Sequence, residues 1–289
     1  QGRSAWPRAP GSGRFLVVRW PLVCSSVVLA ATAAAGPRVS NPAFLGVEMR
    51  NPGGGDPCVI GAAIPGGPAA AAGLRAGDVI VGFAGERITS CAMLLDQIAR
   101  HAPGEVVPVR TIGAAGPRAI AVQLSTRDAL LGAVIGKPVG STHLIAIDSG
   151  EVFDLSARHG QTAILGLYNP ACVECAAVFG RLSAWARGVA RRGGPAPLVL
   201  ALAHGDADEL HALQRELDVP VVTGALDDRD DGLPARELLL SDRERLGVIV
   251  VDGRGTLQYV GPIAPTSDDA DAVFDEVIAA AEHAVRRSR

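Results

Sequence analysis

The chain changes rhythm near Arg127, and that change limits its fold more than any other feature. Before Arg127, short apolar runs alternate with Gly and Pro punctuation. Phe44 to Met49, Cys58 to Ile64, Gly77 to Val81 and Gly85 to Ile88 read as short strands and turns. Pro65 to Leu74 reads as a turn and a short helix. Thr89 or Ser90 can cap a helix running to Arg100, with Leu94, Leu95 and Ile98 at helical spacing. Pro103-Gly104-Glu105 stops it, and Val106 to Thr111 with Arg118 to Leu124 predicts a closing hairpin.

After Arg127, strands and helices alternate. Leu144 to Ile147 and Glu151 to Leu155 read as a hairpin about Asp148-Ser149-Gly150. Thr162 to Tyr168 is an apolar strand, followed by a helix in which Phe179, Leu182, Trp185 or Ala186, and Val189 recur at helical intervals. Leu198 to Ala203 is another strand, and Asp206-x-x-Glu209 is a capping box before a helix ending near Leu217. Val219 to Thr223, Leu246 to Val251 and Thr256 to Val260 are further strands, and Thr266 or Ser267 opens a last amphipathic helix. This order predicts a central sheet covered by helices. A length of 289 residues suits two domains of roughly 150 residues each.

Composition removes several classes of function. The chain is 48% hydrophobic and 20% charged, which fits neither a wholly disordered nor a fibrous protein. Net charge is −3, no block of like charge occurs, and aromatics are 4%. A nucleic-acid partner is therefore not expected. All basic residues except Lys137 are arginine, a bias of composition and not a basic patch. No Gly-rich phosphate loop and no G-x-S-x-G elbow is present. Asp148-Ser149-Gly150 is read as a turn signal and not as a protease motif. His143, His159, His204 and His211 lack ligand spacing, so neither a metal nor a cofactor is expected.

Residues 1–35 read as an export segment. Arg3, Arg8, Arg14 and Arg19 are the only charges, and Pro21 to Ala35 is uncharged and ends in small residues. The apolar stretch is short beside the roughly 20 residues of a spanning helix. Cleavage after Ala33 or Ala35 gives an exported protein of the periplasm or cell envelope. Retention of the segment would instead anchor it to the membrane. Val23 before Cys24 argues against lipidation. Export leads to a compartment where disulfides persist.

Cys172-Val173-Glu174-Cys175 falls where the Thr162 to Tyr168 strand ends and a helix begins. A thiolate at Cys172 would meet the positive end of that helix. Cys175, three residues on, lies within disulfide reach and can resolve a mixed disulfide.

The string PGGPAAAAGLRAGDVIVGFAGERI resembles the PDZ domains of bacterial envelope proteins. The resemblance covers residues 43–127, and "FLGV" is similar to that family's carboxylate-binding loop. It implies that Phe44, Leu45, Gly46 and Val47 bind the C-terminal peptide of a partner, with Leu94 and Ile98 as the opposite wall of the groove. In the PDZ arrangement Cys58 and Cys91 start at the same end of the groove. They form either a structural disulfide or two buried thiols.

Residues 133–289 resemble the thioredoxin superfamily, in its exported TlpA-like branch, through GKPVGSTHLIAIDSGEVFDLSARHGQTAILGLYNPACVEC and VIVVDGRGTLQYVGPI. The resemblance implies that Cys172 is the nucleophile and Cys175 the resolving cysteine. The departures are marked: Ala171 replaces a Trp, Gly166 a buried acid, Gly180 a helix-kinking Pro, and Leu246 the cis-Pro that faces the disulfide. A trans bond is expected before Leu246. Glu174 adds negative charge that opposes a thiolate and fits a reductant better than a strong oxidase.

The expected fold is two-domain: a β-barrel-like PDZ domain with helices, then an α/β thioredoxin-like domain. The expected function is an exported thiol-disulfide oxidoreductase, acting on protein thiols or disulfides, whose PDZ module recruits a partner. The alternative is a non-catalytic envelope adaptor with a degenerate thioredoxin fold. Five cysteines occur in the chain. Removing Cys24 with the export segment leaves two pairs, Cys58 with Cys91 and Cys172 with Cys175.

Overall fold

The computed structural model describes residues 42–50, 57–140, 142–157, 160–169, 172–226 and 245–288. The expectations for residues 1–35, Cys24, His159 and Ala171 lie outside the described residues. No helix among the described residues is long and apolar enough to cross a membrane.

The first half contains β1 (Val47–Met49), β2 (Cys58–Ala63), α1 (Pro68–Ala71), β3 (Val79–Phe83), β4 (Glu86–Arg87), α2 (Cys91–Ile98), β5 (Val106–Gly113) and β6 (Gly116–Gln123). The sheet order is β1-β2-β3-β5-β6, with β4 paired to β3, and every pairing is antiparallel. Ser90 caps α2, its hydroxyl accepting the Met93 N–H at 3.2 Å. The β5–β6 hairpin closes at Gly113↔Gly116. Gly113 is required there because a Cβ would collide with the Asp78 carboxylate. That buried carboxylate is paired with Arg118 at 2.6 Å and accepts the Arg75 N–H at 3.0 Å, so its burial is compensated.

The second half contains α3 (Arg127–Gly132), β7 (Thr142–Ala146), β8 (Val152–Phe153), β9 (Ala163–Leu167), α4 (Cys175–Arg191), β10 (Leu198–Leu202), α5 (Ala207–Glu216), β11 (Val221–Leu226), β12 (Leu246–Val251), β13 (Leu257–Ile263) and α6 (Ala270–Arg287). Its sheet runs β13-β12-β9-β10-β11-β7-β8. β9, β10 and β11 are parallel, and the outer pairings are antiparallel. The Asp206–Glu209 capping box forms at the start of α5.

Parallel strands need both faces covered, and side chains here alternate between two cores. Ala163, Leu165 and Leu167 of β9 enter one core, while Ile164 and the following Tyr168 enter the other. Ile249 and Val251 of β12 face the first core; Leu246, Val248 and Val250 face the second. α4, α5 and α6 pack into the second core only.

Residues 127–132 form a helix, α3, and Thr126 caps it by accepting the Ala129 N–H at 3.0 Å. One expectation needs correction: neither Thr266 nor Ser267 opens the last helix. Ser267 instead closes a turn, its hydroxyl donating to the Ala264 carbonyl at 2.8 Å, and α6 starts after Asp269.

Candidate functional site

The cysteine pair sits where β9 gives way to α4. Tyr168 extends the β9 ladder by donating its N–H to Leu202 O at 2.8 Å. The Cys172 N–H then donates to Asn169 O at 2.9 Å, and the Cys175 N–H to Cys172 O at 3.2 Å, so the chain turns tightly into the helix. Cys175 is the first residue of α4 and is disulfide-bonded to Cys172, with Cα atoms 5.4 Å apart. The pair lies at the positive end of a helix spanning Cys175–Arg191, which favours a thiolate. Glu174, the N-cap, makes no side-chain capping bond and is exposed.

Cys172 is more accessible than Cys175, but only just: 5% against 0%. Both sulfurs belong to an apolar cluster with Tyr168, Val178, Phe179 and Leu246, and this packing closes over them. The apolar side chain that does protrude is Val173, at 77% exposure. Burial raises the Tyr168 phenol above its ordinary pKa, with the Glu216 carboxylate adding to the effect.

The departures at Gly166 and Leu246 meet at one place. A Cβ on Gly166 would lie 2.5 and 2.6 Å from the Phe179 ring and 3.5 Å from the Leu246 Cδ1 atom. The absent side chain is thus replaced by Phe179, one turn beyond Cys175 on α4. Leu246 opens β12, is fully buried, and precedes Gly247, which pairs with Leu167. No cis peptide bond occurs among the described residues. Gly180 has open space around it.

The second candidate site is the loop before β1. Gly46 has φ +77°, a conformation that favours glycine, and a Cβ there would approach Pro68 Cδ to 3.1 Å. The Leu45 and Gly46 carbonyls are engaged by the N–H groups of Ala69 and Ile64, each at 2.9 Å. β1 is an edge strand among the described strands. Gly46 O and Arg50 N both bond toward β2 or its flanks. By the alternation of an antiparallel ladder, the main-chain groups of Val47 and Met49 point to the open edge.

Not all residues expected at this groove are presented to a ligand. Leu45 is buried, and Val47 is half-buried. Leu94 and Ile98 are 0% and 7% exposed and belong to the core of the first half, not to an open wall. The apolar side chain that α2 leaves at the surface is Leu95, 47% exposed, which sequence reasoning did not assign to the site. Phe44 points away from the loop: it packs on the first core of the second half, under the Arg127 guanidinium at 5.4 Å. Cys58 and Cys91, first residues of β2 and α2, are disulfide-bonded with Cα atoms 4.5 Å apart. Among the described residues no group of three or more His, Cys, Asp or Glu is placed to hold a metal.

Residues 59–110 match the family model of the PDZ domain. A PDZ domain therefore lies within the first half of this chain, around residues 59–110, and the β9–α4–β10 crossover with the β12–β13 hairpin and α6 gives the second half a thioredoxin-like fold. No curated protein matches the chain. Among solved structures, the serine endoprotease of Yersinia pestis is similar at 25% identity over 29% of this chain and 29% of that one, with a TM-score of 0.26. A secreted Mycobacterium tuberculosis disulfide oxidoreductase homologous to E. coli DsbE is similar at 21% identity over 49% of this chain and 94% of that one, TM-score 0.33. BsSco, a member of the Sco family of cytochrome c oxidase assembly proteins, is similar at 10% identity over 50% of this chain and 94% of that one, TM-score 0.35.

Proposed function

We propose that the chain is an exported thiol-disulfide oxidoreductase, reductase- or isomerase-like, that works through Cys172 and Cys175 while its PDZ domain holds a partner's C-terminus. The observation that carries this reading is the Cys172–Cys175 disulfide at the N-terminal end of α4. In the reduced protein the Cys172 thiolate attacks one sulfur of a substrate disulfide. The other substrate sulfur leaves as a thiolate and takes up a proton. Cys175, deprotonated, then attacks Cys172 and releases the second substrate sulfur, which leaves the enzyme pair oxidised and the substrate reduced.

The PDZ contribution is main-chain recognition. An extended peptide can pair with the open edge of β1, and its carboxylate can accept N–H groups of the loop at Leu45, Gly46 and Val47. Holding the partner there raises its effective concentration near Cys172. Two disulfides among the described residues, with the basic and apolar residues 1–35, fit an oxidising compartment such as the periplasm.

The second reading, a non-catalytic envelope adaptor, is favoured by the burial of Cys172 and by Leu246 beside the pair. Insulin reduction and a redox titration of the full chain separate the two. The oxidoreductase reading expects turnover in the parent and none in Cys172→Ser. A Cys172→Ser protein as active as the parent removes Cys172 as the nucleophile, and an inert parent leaves only the adaptor.

A further inference from the structure

We infer that the PDZ domain and the thioredoxin-like domain form one cooperative unit, with the shoulders of the peptide loop completing the second face of the redox domain's sheet. The three long helices α4, α5 and α6 all pack on one face of that sheet. The other face carries Ala163, Leu165, Leu167, Leu200, Leu202, Ile249 and Val251. Leaving such a row uncovered would cost about 25 cal/mol for each Å² of apolar surface in water. Among the described residues the only helical side chains in its core are Leu130 and Leu131 of α3. Ile64, 4% exposed, joins the same core from the PDZ domain, and Phe44 packs against it.

These two residues flank the loop. Ile64 donates its N–H to Gly46 O, and Phe44 immediately precedes Leu45. The connection between the domains is pinned at both ends. Phe44 and Ser125 exchange backbone bonds of 2.8 and 3.1 Å on the PDZ side. On the redox side Gly136 N donates to Leu257 O at 2.8 Å, Leu257 N to Lys137 O at 2.9 Å, and Val139 N to Gly255 O at 2.8 Å. Between these anchors α3 acts as a wedge and not as a tether. Whatever settles in the loop then stabilises the redox domain, and the redox domain stabilises the loop by the same free energy. The coupling stands on packing alone and does not depend on the identity of the ligand or on redox activity.

Hydrogen exchange with mass spectrometry on the full chain tests it. Leu182→Ala opens a cavity in the second core, far in sequence from the PDZ domain. In one cooperative unit the slowest amides of β9 and β3 accelerate by a common factor, on the order of thirtyfold or more for a buried Leu→Ala change. Adding Leu131→Ala breaks the wedge, and the β3 amides then stop responding to Leu182→Ala. If Leu182→Ala does not fold, Leu182→Val gives the same pattern with a smaller factor. Acceleration confined to β9 overturns the inference, and so does a β3 response that survives Leu131→Ala.

Discussion

Gly166 and Phe179 fit as a matched pair: the ring of Phe179 fills the volume that any side chain at Gly166 would need. Phe179 is fully buried beside Cys175, so the floor under the disulfide is aromatic and apolar. Gly166→Ala should destabilise the protein by about 1–3 kcal/mol through overpacking, and Phe179→Ala by about 3–5 kcal/mol through a cavity. Because the two changes relieve each other, the double variant should be more stable than the sum of the single costs predicts. Urea denaturation measures the cycle, and simple additivity would rule the pairing out.

The Cys58–Cys91 disulfide ties the start of α2 to the start of β2 across a sequence separation of 33. Closing a loop of that size restrains the unfolded chain. Replacing both cysteines with Ala should cost about 2–5 kcal/mol. The loss should appear as a lower urea midpoint. A double variant as stable as the parent would show that the bond adds nothing to folding.

Tyr259 gives the protein an alkaline limit. Burial, with the carboxylates of Glu276 and Asp128, pushes its phenol up from 10.0 to about 12. The folded state therefore holds the proton more tightly than the unfolded chain does. Its contribution is fully present below pH 10.0 and is lost as pH rises toward about 12. Tyr259→Phe should flatten this alkaline decline in a series of urea titrations from pH 9 upward. An unchanged slope would assign the decline to other groups.

Asp154 acts at the opposite end of the pH scale. Burial alone would raise its pKa, but the Ser156 hydroxyl at 2.7 Å and the N–H groups of Ser156 and Thr142 at 3.0 and 3.3 Å outweigh it, and the pKa falls below 3.8. The ionised form is thus the one the fold prefers. Its stabilisation is present above the unfolded value of 3.8 and is lost as pH falls below it. Asp154→Asn should be less stable than the parent at pH 7 and should lose less on acidification. Parallel acid curves for the two proteins would remove Asp154 as a cause.

The periodic parts of the fold were legible in the residues themselves. The alternating β5–β6 hairpin, the apolar runs of β9, β10 and β12, and the Asp206–Glu209 box carry their own signals. Short or non-local features were not. α3 spans only Arg127–Gly132, too short for a periodic stripe, and its apolar residues make sense only against the core of the second half. The inward face of α2 turns on one bond. Cys91, Leu94 and Ile98 share a stripe at helical spacing, so once Cys91 reaches Cys58 the other two follow it inward and Leu95 is left outside. Phe44 sits beside a glycine loop in sequence, yet its partner surface belongs to the other domain. The site was legible as chemistry at Cys172 and Cys175; the burial of both depends on Tyr168, Phe179 and Leu246, drawn from three separate elements.

In most two-domain chains the junction is the place a protease nicks first and the place an engineer cuts. Here the junction is a capped helix, with backbone bonds to one domain before it and to the other beyond it. Trypsin should find Arg127 a poor target in the native protein. For the same reason, neither half is a cassette that can be lifted out and grafted elsewhere: the second half would carry a sheet face of buried Leu and Ile side chains into water.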